Sequence, residues 1–117
     1  MKNVKIWHNP RCSKSRNTLE LLNEKGVEVE IVKYLDTPPN KEELKEMLKM
    51  LNISARELMR TKEDIYKELN LKDENSEEKL IDAMVENPKL IERPIVIKDG
   101  KAAIGRPIEN IIDLLES

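Results

Sequence analysis

The chain is poor in the residues that define several protein classes. Its 117 residues include one cysteine, one histidine, one tryptophan, two tyrosines, three glycines and no phenylalanine. A lone cysteine cannot close an intrachain disulfide, and with a lone histidine it cannot build a Cys-rich zinc module. The scarcity of glycine leaves no Gly-rich phosphate loop. Aromatics amount to 3%, so there is almost no surface on which to stack single-stranded nucleic acid. The longest unbroken apolar runs are three residues, as at Ile95-Val96-Ile97. A membrane span needs about twenty and a signal peptide at least about seven. A strong basic excess is missing too: 21 Lys and Arg face 23 Asp and Glu, for a net charge of −2. A nucleic-acid partner and a membrane partner are therefore not expected, although a local basic pocket is compatible with the balance. The expectation is a soluble, non-secreted chain, with a free thiol suited to the reducing cytoplasm.

What is present is a regular succession of patterns. The length fits one domain, residues 1–117, with an aliphatic core of Leu, Ile, Val and Met. Lys2 to Trp7 alternates polar and apolar residues and predicts a strand. A helix follows from Cys12-Ser13 to Lys25-Gly26, with Gly26 placed as its C-terminal cap. Val27 to Val32 alternates strictly and predicts a second strand. Two strands joined by a helix are normally parallel, with a right-handed crossover. Beyond the break at Asp36-Thr37-Pro38-Pro39-Asn40, the pattern over about 40–87 is wholly helical. Leu44, Met47, Leu48 and Leu51 form one amphipathic stripe. Ser54 caps a short helix reaching Leu58-Met59-Arg60, Thr61 through Leu71 reads as another, and Ser76 caps a last one. Arg93 to Ile97 predicts a strand, Asp99-Gly100 a hairpin, Ala102-Ala103-Ile104 the return, and Ile108 to Leu115 a final helix. The order β-α-β, helical insert, β-β-α is that of an α/β thioredoxin-like domain with a mixed sheet.

Cys12 is the first candidate for chemistry. A solitary cysteine is by itself most often a small core residue. This one is predicted at a helix N-terminus, where unpaired N–H groups and the helix dipole favour a thiolate. Arg11, Lys14 and Arg16 make the local field positive, and the polar run around it argues against an apolar core. His8 lies four residues earlier. It suits a proton acceptor or electrostatic tuner of the thiol, or equally a strand-end histidine bonded to backbone. Cys12-Ser13-Lys14-Ser15 is C-x-x-S, so the second place holds no cysteine to close an internal disulfide. A phosphatase loop needs Arg six residues after Cys; Thr18 stands there and Arg16 comes too early. Arg60, Arg93 and Arg106 each sit at an element end or beside a proline, and guanidinium forks suit tetrahedral oxyanions. Most isolated arginines are only solvated surface. Arg93-Pro94 gains weight because thioredoxin-like folds commonly carry a cis proline before the third strand, facing the active cysteine. No metal site is expected.

Four blocks together resemble the glutaredoxin-dependent arsenate reductase family. They are His8-Asn9-Pro10-Arg11-Cys12-Ser13-Lys14-Ser15-Arg16, Leu58-Met59-Arg60-Thr61-Lys62-Glu63, Arg93-Pro94-Ile95-Val96 and Gly105-Arg106-Pro107. The resemblance spans essentially the whole chain in matching order. It implies a thioredoxin-like fold with a helical insert, a nucleophile at Cys12, a thiol-tuning histidine at His8, and an oxyanion site at Arg60, Arg93 and Arg106. It further implies reduction of arsenate, or a similar oxyanion, with no bound cofactor, glutathione as co-substrate and glutaredoxin as partner. Two other readings share the fold. One is a transcriptional regulator of the Spx type that binds RNA polymerase; many of those sense redox state through a C-x-x-C pair, which Ser15 removes here. The other is a glutathione-linked thiol transferase acting on a different substrate.

Overall fold

The computed structural model describes residues 4–105 and 108–116. The chain divides into two compact units, Met1–Thr37 with Arg93–Ser117, and Pro38–Glu92.

The first unit holds a four-stranded mixed sheet in the order β2-β1-β3-β4. Its strands are β1 (Val4–Trp7), β2 (Val29–Val32), β3 (Ile95–Lys98) and β4 (Lys101–Ile104). β1 runs parallel to β2 with Ile6 beside Ile31, and antiparallel to β3 with Ile6 opposite Val96. The crossover between β1 and β2 is α1 (Ser13–Glu24), and the unit closes with α6 (Glu109–Glu116). Alternation along the strands puts Val4, Ile6 and Val96 in one cluster with Leu22 of α1 and Ile111 and Leu114 of α6. This aliphatic layer anchors both helices to the sheet. The arrangement is the α/β thioredoxin-like one that the pattern indicated.

Short-range signals explain how the elements end. At the close of α1 the Val27 N–H donates to Leu22 O and the Gly26 N–H to Asn23 O, both at 3.1 Å, with Gly26 at φ 70°. This is a Schellman ending, which only glycine enters without strain. It occupies the Val27 N–H, so β2 starts at Val29, two residues later than the alternation suggests. Asp99 at φ 49° and Gly100 at φ 79° make the two-residue turn between β3 and β4.

The second unit is helical, as expected for about 40–87: α2 (Lys41–Leu51), α3 (Ala55–Leu58), α4 (Asp64–Glu68) and α5 (Glu77–Glu86). The helix expected over Thr61–Leu71 is instead the five residues of α4 followed by a 3-10 turn at Leu71–Asp73. Asn70 adopts left-handed backbone, φ 54°, and breaks the run. α3 stops at Leu58 because Met59 is extended and bridges Ile91 in antiparallel fashion. Among the described residues, no helix is long and apolar enough to cross a membrane.

Candidate active site

The site grows from the loop between β1 and α1. His8 continues β1, its N–H donating to Val32 O at 2.9 Å. Asn9 then turns the chain: its side-chain oxygen accepts the Arg11 N–H and its carbonyl accepts the Cys12 N–H, each at 3.0 Å. That turn delivers Cys12 to the N-cap of α1, with extended backbone at φ −96°, ψ 122°. The first turn of α1 holds no acidic residue.

Cys12 is a free thiol and 7% exposed. The polar flanking run argues only against burial in an apolar core. The side chain is enclosed, with the Ser15 and Lys14 N–H groups and the Arg93 guanidinium beside it. Burial pushes the thiol up. The Ser15 N–H, the Arg93 guanidinium and the Lys14 N–H outweigh that, and together hold it below the ordinary thiol range. Two of these are orphan N–H groups of the helix N-terminus. The third arrives from the segment before β3, where the Arg93–Pro94 peptide is cis as anticipated.

His8 is also buried. Burial, then the charges of Lys33 and Arg16, hold it below its usual range and favour the neutral imidazole. Its Nδ1 lies 2.6 Å from the Ser15 hydroxyl, which also accepts the Asn9 N–H at 3.0 Å. Ser15 is fully buried. His8 is therefore tied to the cysteine loop through Ser15.

The structure thus brings Cys12, Arg93 and, through Ser15, His8 into one site in the first unit. Arg60 belongs to the second unit. There its Nη1 pairs with Glu63 Oε1 at 2.6 Å and its Nε lies 3.9 Å from Glu92 Oε1. Arg106 lies outside the described residues. Ser15 is the residue that sequence reasoning undervalued, since it was read only as the absence of a second cysteine. Its spacing seven residues after His8 was the one available signal. Among the described residues, no three His, Cys, Asp or Glu side chains group to hold a metal ion.

In this thioredoxin-like unit, the N-cap cysteine of α1 and an arginine from the segment before β3 come together. The chain belongs to the ArsC family, whose model matches residues 7–114. It is 63% identical over 116 residues to the uncharacterized protein YfgD of Escherichia coli K12, covering 97% of this chain and 98% of that protein. It is 55% identical over 113 residues to an arsenate reductase of Neisseria meningitidis serogroup A, covering 95% and 97%. Its structure matches that of an arsenate reductase from Vibrio cholerae with a TM-score of 0.91 at 51% identity, covering 94% of this chain and 95% of that one.

Proposed function

We propose that the protein reduces arsenate to arsenite in the cytoplasm, with Cys12 as nucleophile. The observation that carries this reading is the Cys12 thiol held down by the α1 N-terminus and Arg93 in a chain of the ArsC family. The Cys12 thiolate attacks the arsenic, a Cys12–S–As bond forms, and one oxygen leaves as water after protonation. Attack on an anion is opposed by charge, so cations at the site stabilise the developing negative charge. Arg93 supplies one of them; Arg60 and Arg106 are assigned to the same oxyanion by the family resemblance.

Reducing As(V) to As(III) takes two electrons, and two thiols joining as one disulfide supply them. The chain has one thiol. Glutathione contributes the second as co-substrate, so arsenite leaves with a Cys12–glutathione mixed disulfide remaining. Glutaredoxin with further glutathione restores the thiol. No bound cofactor takes part.

The test is arsenate-dependent NADPH oxidation with glutathione, glutathione reductase and glutaredoxin. Turnover is expected with the native protein and none with Cys12→Ser. Full activity of that variant would overturn the mechanism.

A further inference from the structure

Gly105 stands between the two pieces that carry the thiol site. It follows β4, and its N–H donates to the Pro94 carbonyl at 2.9 Å. Its φ lies outside the positive range that Gly26 and Gly100 occupy, so conformation alone does not demand glycine. Space does. A Cβ at this position would lie 2.8 Å from Pro94 Cγ, 2.9 Å from Thr18 Oγ1 and 3.4 Å from Ile111 Cγ1. Carbon atoms in favourable contact sit at about 3.5–4.0 Å, so the first two distances are repulsive. Neither neighbour yields freely. Pro94 Cγ belongs to a closed ring, and Thr18 is fully buried in α1 with its hydroxyl donating to Lys14 O at 3.0 Å.

We propose that Gly105 is a positioning residue: by letting both Pro94 and Thr18 approach its bare Cα, it sets the spacing between α1, which carries Cys12, and the Arg93–Pro94 segment, which carries the guanidinium. Both halves of the thiol's environment meet at this point. Lys14, whose N–H faces the sulfur, is also the residue whose carbonyl holds Thr18. A methyl group at Gly105 forces Pro94 away from α1. Hydrogen bonds and charge interactions weaken with distance, so Arg93 then loses part of its hold on the sulfur. The inference rests on Cys12 being the reacting thiolate, and is independent of which oxidant that thiolate meets.

The experiment is the rate of Cys12 alkylation by monobromobimane as a function of pH, on the full chain, with thermal unfolding measured alongside. In Gly105→Ala the midpoint of the rate–pH curve is expected to rise by about 0.5–1 unit, part of the 1–3 units an adjacent opposite charge can produce. Leu114→Ala, a core truncation in α6, serves as the control. It is expected to lower the unfolding temperature and leave the midpoint in place. A folded Gly105→Ala with the native midpoint, or an equal shift in Leu114→Ala, overturns the proposal. Should Gly105→Ala not fold, Thr18→Val places a methyl carbon where the hydroxyl meets Gly105. A smaller rise of the same sign is then expected, and an unmoved midpoint overturns the clamp. If the native protein reduces no arsenate while the midpoint still shifts in Gly105→Ala, the substrate reading fails and the clamp stands.

Discussion

Helix α1 of the first unit begins in a different way from α2, α3 and α5 of the second. In the second unit, α2 starts with a capping box: Asn40 accepts the Glu43 N–H at 2.8 Å and Glu43 accepts the Asn40 N–H at 3.1 Å. α3 repeats the device with Ser54 and Glu57, and α5 uses Ser76. Glu42 and Glu43, Glu57, and Glu77 and Glu78 place negative charge in those first turns. In the first unit, α1 starts with Cys12 and has no acid in its first turn, which instead contains Lys14 and Arg16. The N–H groups are the same in both units. Where a polar side chain and a carboxylate answer them, they contribute stability. Where a thiol answers them, they lower its pKa, and the stabilisation goes to the thiolate.

Breaking that contrast at its centre gives the largest effect. Cys12→Ser turns α1 into a helix of the second kind. Reductase turnover is expected to vanish while the unfolding temperature holds or rises, because serine is a strong N-cap residue. Parallel assay and thermal melts check both halves. Next comes the charge that α1 receives from outside itself. Arg93→Ala removes the guanidinium from the sulfur, so the thiol moves up and less thiolate is present at any pH below the native midpoint. The alkylation curve is expected to move to higher pH by about 1 unit. kcat/KM for arsenate is expected to fall about 10²–10³-fold, the scale for losing one oxyanion-stabilising donor. An unchanged alkylation curve would mean that the helix N–H groups suffice alone.

The caps at Ser54 and Ser76 in the second unit were legible in the sequence because they are local, although Glu43 and Glu57, which complete the boxes, were not singled out. Ser54 and Glu57, or Asn40 and Glu43, stand three residues apart, and the turn of the helix brings them together whatever else the chain does. The Schellman ending at Gly26 and the Asp99-Gly100 turn are local too, and so was the position of Cys12. The Thr61–Leu71 misreading has the opposite cause: asparagine enters the left-handed region more readily than most residues, but its identity alone does not show at which position it does so, as at Asn70. Arg93 was suggested by its proline and by family resemblance, since its partner lies far away in sequence. Ser15 and Gly105 were quoted in motifs without their roles. One bonds a histidine on another element, and the other makes room for two side chains from distant segments. Such roles depend on packing, which local patterns do not encode.

A smaller effect separates the buried support of α1 from its chemistry. Ser15→Ala removes the shared partner of His8 Nδ1 and the Asn9 N–H, both buried. Leaving buried polar groups unsatisfied costs about 1–3 kcal/mol each, so stability in urea is expected to fall by roughly that amount. The Ser15 N–H remains in the variant, so the alkylation midpoint is expected to move less than in Arg93→Ala. A larger move would make the hydroxyl, rather than the backbone, the thiol's main support.

The smallest effect lies in the second unit and shows what an ordinary cap contributes. Asn40→Ala removes the side chain that accepts the Glu43 N–H and leaves the Glu43 carboxylate on the Asn40 N–H. Loss of such a cap costs about 1 kcal/mol. Urea unfolding followed by helical circular dichroism is expected to register that loss at an unchanged denaturant slope. The alkylation midpoint of Cys12 is expected to stay at its native value, because the Ser15 and Lys14 N–H groups and the Arg93 guanidinium that hold the thiol down all belong to the first unit. A shift of the thiol in this variant would show that the ends of α1 and α2 are energetically coupled. The division between helix starts that stabilise and the one that activates would then be a difference of degree.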